Sequence, residues 1–366
     1  MKEKKGPIDF PLFIIILILL AIGINMVFSA SMYEDRQFYR DTYYHLKRQL
    51  IWASLGIGAM IFTSNFDYRK LGNRKLINFG MIVTIALLVI VLFMPDKKGA
   101  SRWINIGKLG IQPSELAKIM LIVYLSDNIA RKGEKIKNFL QGVIPVLIVG
   151  GLFAGLIIIE PNMSTAVIVM TVSILMLFVG GAKMSHLSGI FLVGVSLAVV
   201  AIAIEPYRMA RFTGFINPWA DPLDTGYQAI QSLYALGAGG PFGMGFGMSR
   251  QKQYYIPEAQ NDFIFSILGE ELGFLGAAAV IILFALLVWR GLKIALNCKD
   301  KFGSLMASGI TALIAVQSSI NFLVVSSFMP ITGVTLPLIS YGGSSLLFTM
   351  ASLGLLLNIS RYKSKI

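Results

Sequence analysis

The apolar residues of this chain fall in long, almost unbroken runs joined by short polar connections, with neither the alternation of a surface strand nor the single stripe of a surface helix. One bilayer crossing needs roughly 20 mostly apolar residues. Runs near that length recur at 11–31, 49–65, 76–94, 114–129, 141–159, 164–181, 187–205, 262–289, 304–328 and 343–359. Backbone polar groups in lipid must be satisfied within their own segment, so apolar runs of this kind predict helices. The expected fold class is therefore all-α, a polytopic membrane bundle of about ten transmembrane helices. The fifth and sixth runs are separated only by Glu160-Pro161-Asn162-Met163, a tight hairpin. The first run, Pro11 to Ala30, has no small-residue cleavage site and reads as a retained span.

Residues 1–366 read as one membrane domain, and two connections within it are long, 95–113 and 206–261. Long connections are usually functional or disordered. These two carry aromatic and apolar residues among their cations, Trp103 and Ile104 in the first and Tyr207, Phe212, Phe215, Trp219, Tyr227 and Tyr234 in the second. Both are expected to hold short helices lying on the membrane surface. The segment from Pro330 to Ser345 is broken by Gly333, Pro337, Gly342 and Gly343 and reads as re-entrant. Such backbone is tolerated at membrane depth only inside protein or beside a cavity.

Composition agrees: 55% of the 366 residues are hydrophobic and 14% charged, more apolar surface than one soluble core can hide. The net charge of +13 would suggest nucleic acid in a soluble protein. Here the cations cluster between apolar runs, as anchors facing anionic lipid do, so no nucleic-acid partner is expected. With Lys118 inside a span, 19 of the remaining Lys and Arg lie on the side of the termini and 12 on the other. The positive-inside rule then puts both termini in the cytoplasm, and the 206–261 connection outside it. The single Cys298 excludes an internal disulfide, and His45 and His186 form no zinc-hydrolase motif.

Several residues can carry chemistry. Asp262 stands at the start of the eighth run. An acid there can cap a helix, or act as a general base whose pKa is raised at the membrane edge. Glu270 and Glu271 lie two turns deeper, where carboxylates pair with a cation or line a cavity. Glu115 and Lys118 are spaced to meet on one helix face, as an internal pair or as a contact to substrate phosphates. Arg102, Arg208, Arg211, Arg250 and Lys252 are outer-side cations suited to a diphosphate or to anionic headgroups. The glycine-rich stretch Gly237 to Gly247 lacks the Lys-Ser/Thr of a nucleotide loop and reads as a turn letting backbone approach substrate or membrane.

The chain resembles the SEDS family (shape, elongation, division and sporulation), which includes RodA, FtsW and SpoVE. The resemblance is carried by Met26-Val-Phe-Ser-Ala-Ser31, Gly99-Ala-Ser-Arg-Trp-Ile104 and Gln112-Pro-Ser-Glu-Leu-Ala-Lys118. It continues through Tyr207-Arg-Met-Ala-Arg211, Asn217-Pro-Trp219 and Ile256-Pro-Glu258 running into Asp262-Phe-Ile-Phe265. Gly269-Glu-Glu-Leu-Gly-Phe274 and Leu336-Pro-Leu-Ile-Ser-Tyr-Gly-Gly-Ser-Ser345 complete it, in family order over nearly the whole chain. Met248-Ser-Arg-Gln-Lys252 looks more like the division and sporulation branch than RodA.

The resemblance implies a peptidoglycan glycosyltransferase of the bacterial cytoplasmic membrane that polymerises lipid II. It implies a class B penicillin-binding protein as transpeptidase partner, with other division or sporulation membrane proteins. It assigns Asp262 as catalytic residue and Trp103 as the outer-loop tryptophan. Arg102, Glu115, Lys118, Arg208, Arg211, Lys252 and Glu271 are the expected substrate contacts. The family's acid after the hairpin proline is Asn162 here, unless Glu160 substitutes for it. No protein-held metal is assigned, and a divalent cation, Mg or Mn, stays open as a cofactor. A lipid II flippase, whose polar track would use Lys118, Glu270 and Glu271, and a non-catalytic division scaffold are the competing readings.

Overall fold

The computed structural model describes residues 6–94, 102–106 and 109–362. Helices match the ten predicted runs: α1 (Phe10–Glu34), α2 (Tyr44–Asn65), α3 (Arg74–Val91), α4 (Pro113–Lys132), α5 (Ile144–Ile159), α6 (Met163–Gly180) and α7 (Met184–Ile204), then α10 (Ile264–Asn297), α11 (Lys301–Val325) and α12 (Ser344–Ile359). Six of these segments, in α1, α3, α5, α6, α10 and α11, are long and apolar enough to cross a membrane by length and composition alone. The long second connection holds short helices, as expected of it, α8 (Pro206–Ile216) and α9 (Tyr227–Gly239). The protein is a multi-pass helical membrane bundle.

The first connection departs from expectation. In its described residues Ile104–Ile106 (β1) and Leu109–Ile111 (β2) pair antiparallel, with Ile104 opposite Ile111, rather than forming a surface helix. Apolar residues alternate along both strands, Ile-Asn-Ile and Leu-Gly-Ile, which is a strand period.

Polar contacts hold the two ends of the bundle. At the end bearing the termini, Arg290 on α10 pairs with Asp9, the N-cap of α1, and Asp9 N–H donates to Ser360 Oγ at 2.9 Å. Gly6 N–H donates to the carbonyl of Arg361 at 3.0 Å. Antiparallel packing of α1 on α10 then carries the start of α10 to the far end, where Gln260 Nε2 donates to Glu34 Oε2 at 2.9 Å. The 326–343 segment runs irregularly between α11 and α12 and buries Val334, Leu336, Leu338 and Ile339. A Cβ built on Gly23, midway along α1, would lie 2.3 Å from the Leu338 carbonyl oxygen. The segment thus reaches the middle depth of α1, as the re-entrant reading expected.

The glycine run 237–247 packs its backbone against α10. Met244 and Gly245 donate to the carbonyls of Glu270 and Glu271 at 2.9 and 3.0 Å, and Phe274 and Leu275 donate back to Gly240 and Pro241 at 2.8 and 3.1 Å. Crossing strands of bare backbone need the approach that only glycine permits. A Cβ on Gly243 (φ +83°) would lie 2.2 Å from the Glu271 oxygen, and one on Gly273 (φ +69°) 2.2 Å from Gly243 N. At Gly273 the helix is also kinked, so the crossing bends α10 just below its mouth.

Candidate active site

Asp262 sits two residues before α10, at the bundle end opposite the termini. Asn321 Nδ2, from inside α11, donates to the Asp262 carbonyl at 2.7 Å and to the Val334 carbonyl at 2.8 Å, tying the mouth of α10 to the re-entrant segment. A Cβ on Gly333 (φ +70°) would stand 3.7 Å from Asp262 Oδ2, so the segment runs directly beside the carboxylate. Tyr341 N–H donates to the Gln260 carbonyl at 2.9 Å, fixing the other flank.

The carboxylate is partly buried, and burial pushes its pKa up to about 6 from the ordinary 3.8, against the opposing pull of its own backbone N–H and of the Arg211 guanidinium. Arg211 reaches the site from α8 and donates from Nη1 to the Ile331 carbonyl at 3.0 Å. Asn261 Oδ1, Gln260 Oε1 and Thr332 Oγ1 beside it are buried without a hydrogen-bond partner in the structure. The arrangement supplies a base titrating near neutrality, one fixed cation and unpaired polar atoms.

Of the expected site residues whose side chains are described, Arg211 is placed electrostatically against Asp262. Arg102 lies at the α5–α6 hairpin, donating from Nε to the Glu160 carbonyl at 3.1 Å and from Nη2 to the Pro161 carbonyl. That hairpin approaches the site through Ser164, whose Oγ donates to the Thr332 carbonyl at 2.6 Å. Trp103 is half-buried beside Arg102 at the foot of the β-hairpin. Arg208 lies on α8, and its side chain is outside the described residues.

Four expected substrate contacts are instead engaged with one another. Lys118 Nζ lies 2.9 Å from Glu115 Oε1, both buried at the start of α4. Lys252 Nζ lies 2.7 Å from Glu271 Oε1, with both side chains 0% exposed. Glu271 also accepts from Ser29 Oγ on α1 at 2.6 Å, and Lys252 donates to the same Ser29 Oγ at 2.9 Å. Beside them Glu270 accepts from Ser249 Oγ and from the backbone N–H groups of Arg250 and Gln251 at 2.9 and 3.3 Å. Desolvation drives this closure, because a lone buried charge is costly and a paired, hydrogen-bonded one is tolerable. Lys252 and Glu271 therefore pin the 248–262 loop to α1 and α10, and so hold Asp262 in place, in this structure without a face free for substrate.

Two features escaped the sequence reading, Asn321 and the pairing of Asp35 with His45. Asn321 could have been found as a strong polar residue inside an apolar helix. Asp35 and His45 pair directly, and Asp35 Oδ2 also accepts from Ser31 Oγ and from His45 N–H, each at 3.0 Å. The His45 ring stands edge-on to Tyr341, 4.7 Å between centroids, bracing the re-entrant segment from α1 and α2. Glu160 is fully buried with neither carboxylate oxygen hydrogen-bonded, and burial raises its pKa to about 8 against the lowering influence of Arg102. Among the described residues no three His, Cys, Asp or Glu side chains gather as metal ligands, and the charged neighbour of Asp262 is a cation.

Comparison with known proteins agrees with this architecture. The family profile described as "Cell cycle protein", FtsW/RodA/SpoVE, matches residues 10–365. Stage V sporulation protein E of Bacillus subtilis (strain 168) is 44% identical over 369 residues, covering 99% of each chain. A protein of Geobacter sp. (strain M18) named probable peptidoglycan glycosyltransferase FtsW is 38% identical over 98% of each. Among solved structures, one described as structural coordination of polymerization and crosslinking by a peptidoglycan synthase complex superposes with TM-score 0.79 at 29% identity, covering 97% of this chain and 98% of that one. The crystal structure of the Thermus thermophilus rod shape determining protein RodA superposes with TM-score 0.70 at 27% identity, over 98% of both chains. This chain belongs to the FtsW/RodA/SpoVE family.

Proposed function

We infer that this protein is a peptidoglycan glycosyltransferase that polymerises lipid II at the outer face of the bacterial cytoplasmic membrane. Ten helices cross the bilayer, and both termini lie in the cytoplasm. The observation that carries the reading is Asp262, a carboxylate titrating near pH 6, beside Arg211 at the bundle end away from the termini. Relatives named peptidoglycan glycosyltransferase and the likeness to a synthase complex support the same reaction class.

In the step this geometry suits, ionised Asp262 takes the proton from the acceptor sugar hydroxyl as that oxygen attacks the anomeric carbon of the donor. A new C–O glycosidic bond forms while the bond from that carbon to undecaprenyl diphosphate breaks, with inversion. The electron pair leaves on the diphosphate, and Arg211 stabilises its charge with Arg208 as a second cation from the same helix. The Asp262 proton passes to solvent before the next cycle. Trp103 and Arg102, beside the α5–α6 hairpin, border the path to this site.

A class B penicillin-binding protein is the partner this reading implies, to crosslink the strands, and the relation to a sporulation protein favours division or sporulation over elongation. A flippase reading finds little support, because Lys118, Glu270 and Glu271 are each closed on partners within the protein. The test is polymerisation of lipid II by the purified chain with its partner. Wild type forms glycan strands, and Asp262→Asn, expressed to the same level, forms them at least about a hundredfold more slowly. Undiminished polymerisation by that variant, or growth fully supported without polymerase activity, overturns the enzyme.

A further inference from the structure

At the bundle end opposite Asp262, a cavity of about 430 Å³ opens between α3, α4 and the turn that follows α4. That is within the size range of small-ligand sites. Arg74, Arg131, Lys132 and Lys135 line it against a single carboxylate, Asp127. Asp127 accepts from Arg131 Nε at 2.7 and 2.8 Å and lies 4.0 Å from Arg74 Nε, so one negative charge orients two guanidinium groups. The other bonds of these cations go to neutral carbonyls: Arg131 Nη2 to Gly72 at 3.1 Å and Lys132 Nζ to Gly142 at 2.9 Å. The wall therefore keeps an excess of about three positive charges. The N-terminus of α3, whose first residue is Arg74, adds a dipole of the same sign.

An excess of guanidinium and ammonium groups in a pocket is chemistry for phosphate oxygens. The surroundings say which phosphate. From Asn78, which lines the cavity, Ile82, Ile85 and Val89 follow along one side of α3 at spacings of four, three and four, and Ile82 and Val89 are exposed, 67% and 37%. An apolar strip thus runs from the cavity rim into the bilayer zone, the length of a helix that an acyl chain can follow. The α4 helix, 20 residues and roughly 30 Å long, separates the cavity from the Asp262 end. The reacting sugars therefore do not use it.

We propose that the α3–α4 cavity binds the phosphodiester headgroup of an anionic glycerophospholipid, with the acyl chains lying along Ile82, Ile85 and Val89. The headgroup fills the charge deficit that Asp127 leaves, and it links the first turn of α3 to the last turn of α4.

The full chain, purified and placed in phosphatidylcholine nanodiscs doped with phosphatidylglycerol, tests this by native mass spectrometry of the retained lipid. Arg74→Ala/Lys135→Ala removes two cations that make no bond essential to the fold, and Lys293→Ala/Lys301→Ala removes the same charge elsewhere on that face. At roughly 1 kcal/mol per cation near a charged surface, the first double variant retains phosphatidylglycerol about thirtyfold more weakly, while the control matches wild type. Glycerol 3-phosphate at equal concentration does not displace the lipid. Equal losses in both double variants, no preference over phosphatidylcholine, or displacement by glycerol 3-phosphate each overturns the proposal.

Discussion

The acid limb of the pH–rate profile tests the site most directly. Burial holds the Asp262 carboxyl at about 6, above the 3.8 of an exposed aspartate. A general base works only when ionised, so at pH 7 about nine-tenths of the enzyme is competent, at pH 6 about half, and at pH 5 about one-tenth. The kcat/KM for lipid II polymerisation should then fall about tenfold between pH 7 and pH 5, centred near 6. An exposed aspartate would lose only about 6% of its activity over that range. Arg211 opposes the rise, so Arg211→Ala should move the midpoint to higher pH, besides lowering the rate. That second shift separates a protein group from any titration of the substrate. Asp262→Asn should lose about 100- to 10,000-fold, or about 3–5 kcal/mol of transition-state stabilisation. Initial rates over a buffer series, with purified chain and partner, provide the measurement. A midpoint near 4, or an Arg211→Ala midpoint that stays or drops, would refute the base assignment.

Other outcomes follow from buried groups. Glu160 is raised from 4.5 to about 8, so between those values the folded state holds a proton that the unfolded state has released. Stability should fall by about 1.4 kcal/mol per pH unit as pH rises from 4.5 toward 8, and Glu160→Gln should flatten that slope in thermal unfolding; parallel curves would contradict the buried neutral acid. Truncating one partner of the Lys252–Glu271 pair, as in Lys252→Met, should cost about 3–5 kcal/mol, and adding Glu271→Leu should restore more than half of it. Simple additivity in unfolding assays would show that the pair is not coupled. Gly243→Ala should destabilise by about 1–3 kcal/mol or more, because its positive φ and its contact with the Glu271 carbonyl leave no room for a Cβ, whereas Gly237→Ala, which meets nothing within 4 Å, should be near neutral.

The spans were legible because a bilayer imposes its thickness on every crossing element, and that constraint is local. A run of apolar residues announces a helix whatever it packs against, so even the short apolar helices α7 and α12 were found at their observed positions. Asp262 stood out for a similar reason, as a carboxylate where an apolar run begins. The 102–111 hairpin was missed because six strand residues between charged neighbours carry too short a period to outweigh the interfacial composition.

What only the tertiary structure decided is which polar groups close on one another. Glu271 meets Lys252 from 19 residues away and Ser29 from 242, and Asn321 reaches Asp262 from 59. No local pattern encodes such distances. They depend on the antiparallel packing of α1 on α10 and on the kink at Gly273, which lets the glycine loop cross. Composition marked the intramembrane charges as costly, but the choice between substrate contact and internal pairing rests on whether a counter-charge is brought within bonding distance. For Lys118 and Lys252 the packing supplies one, whereas Asp262 has Arg211 nearby and its carboxyl still titrates near neutral pH.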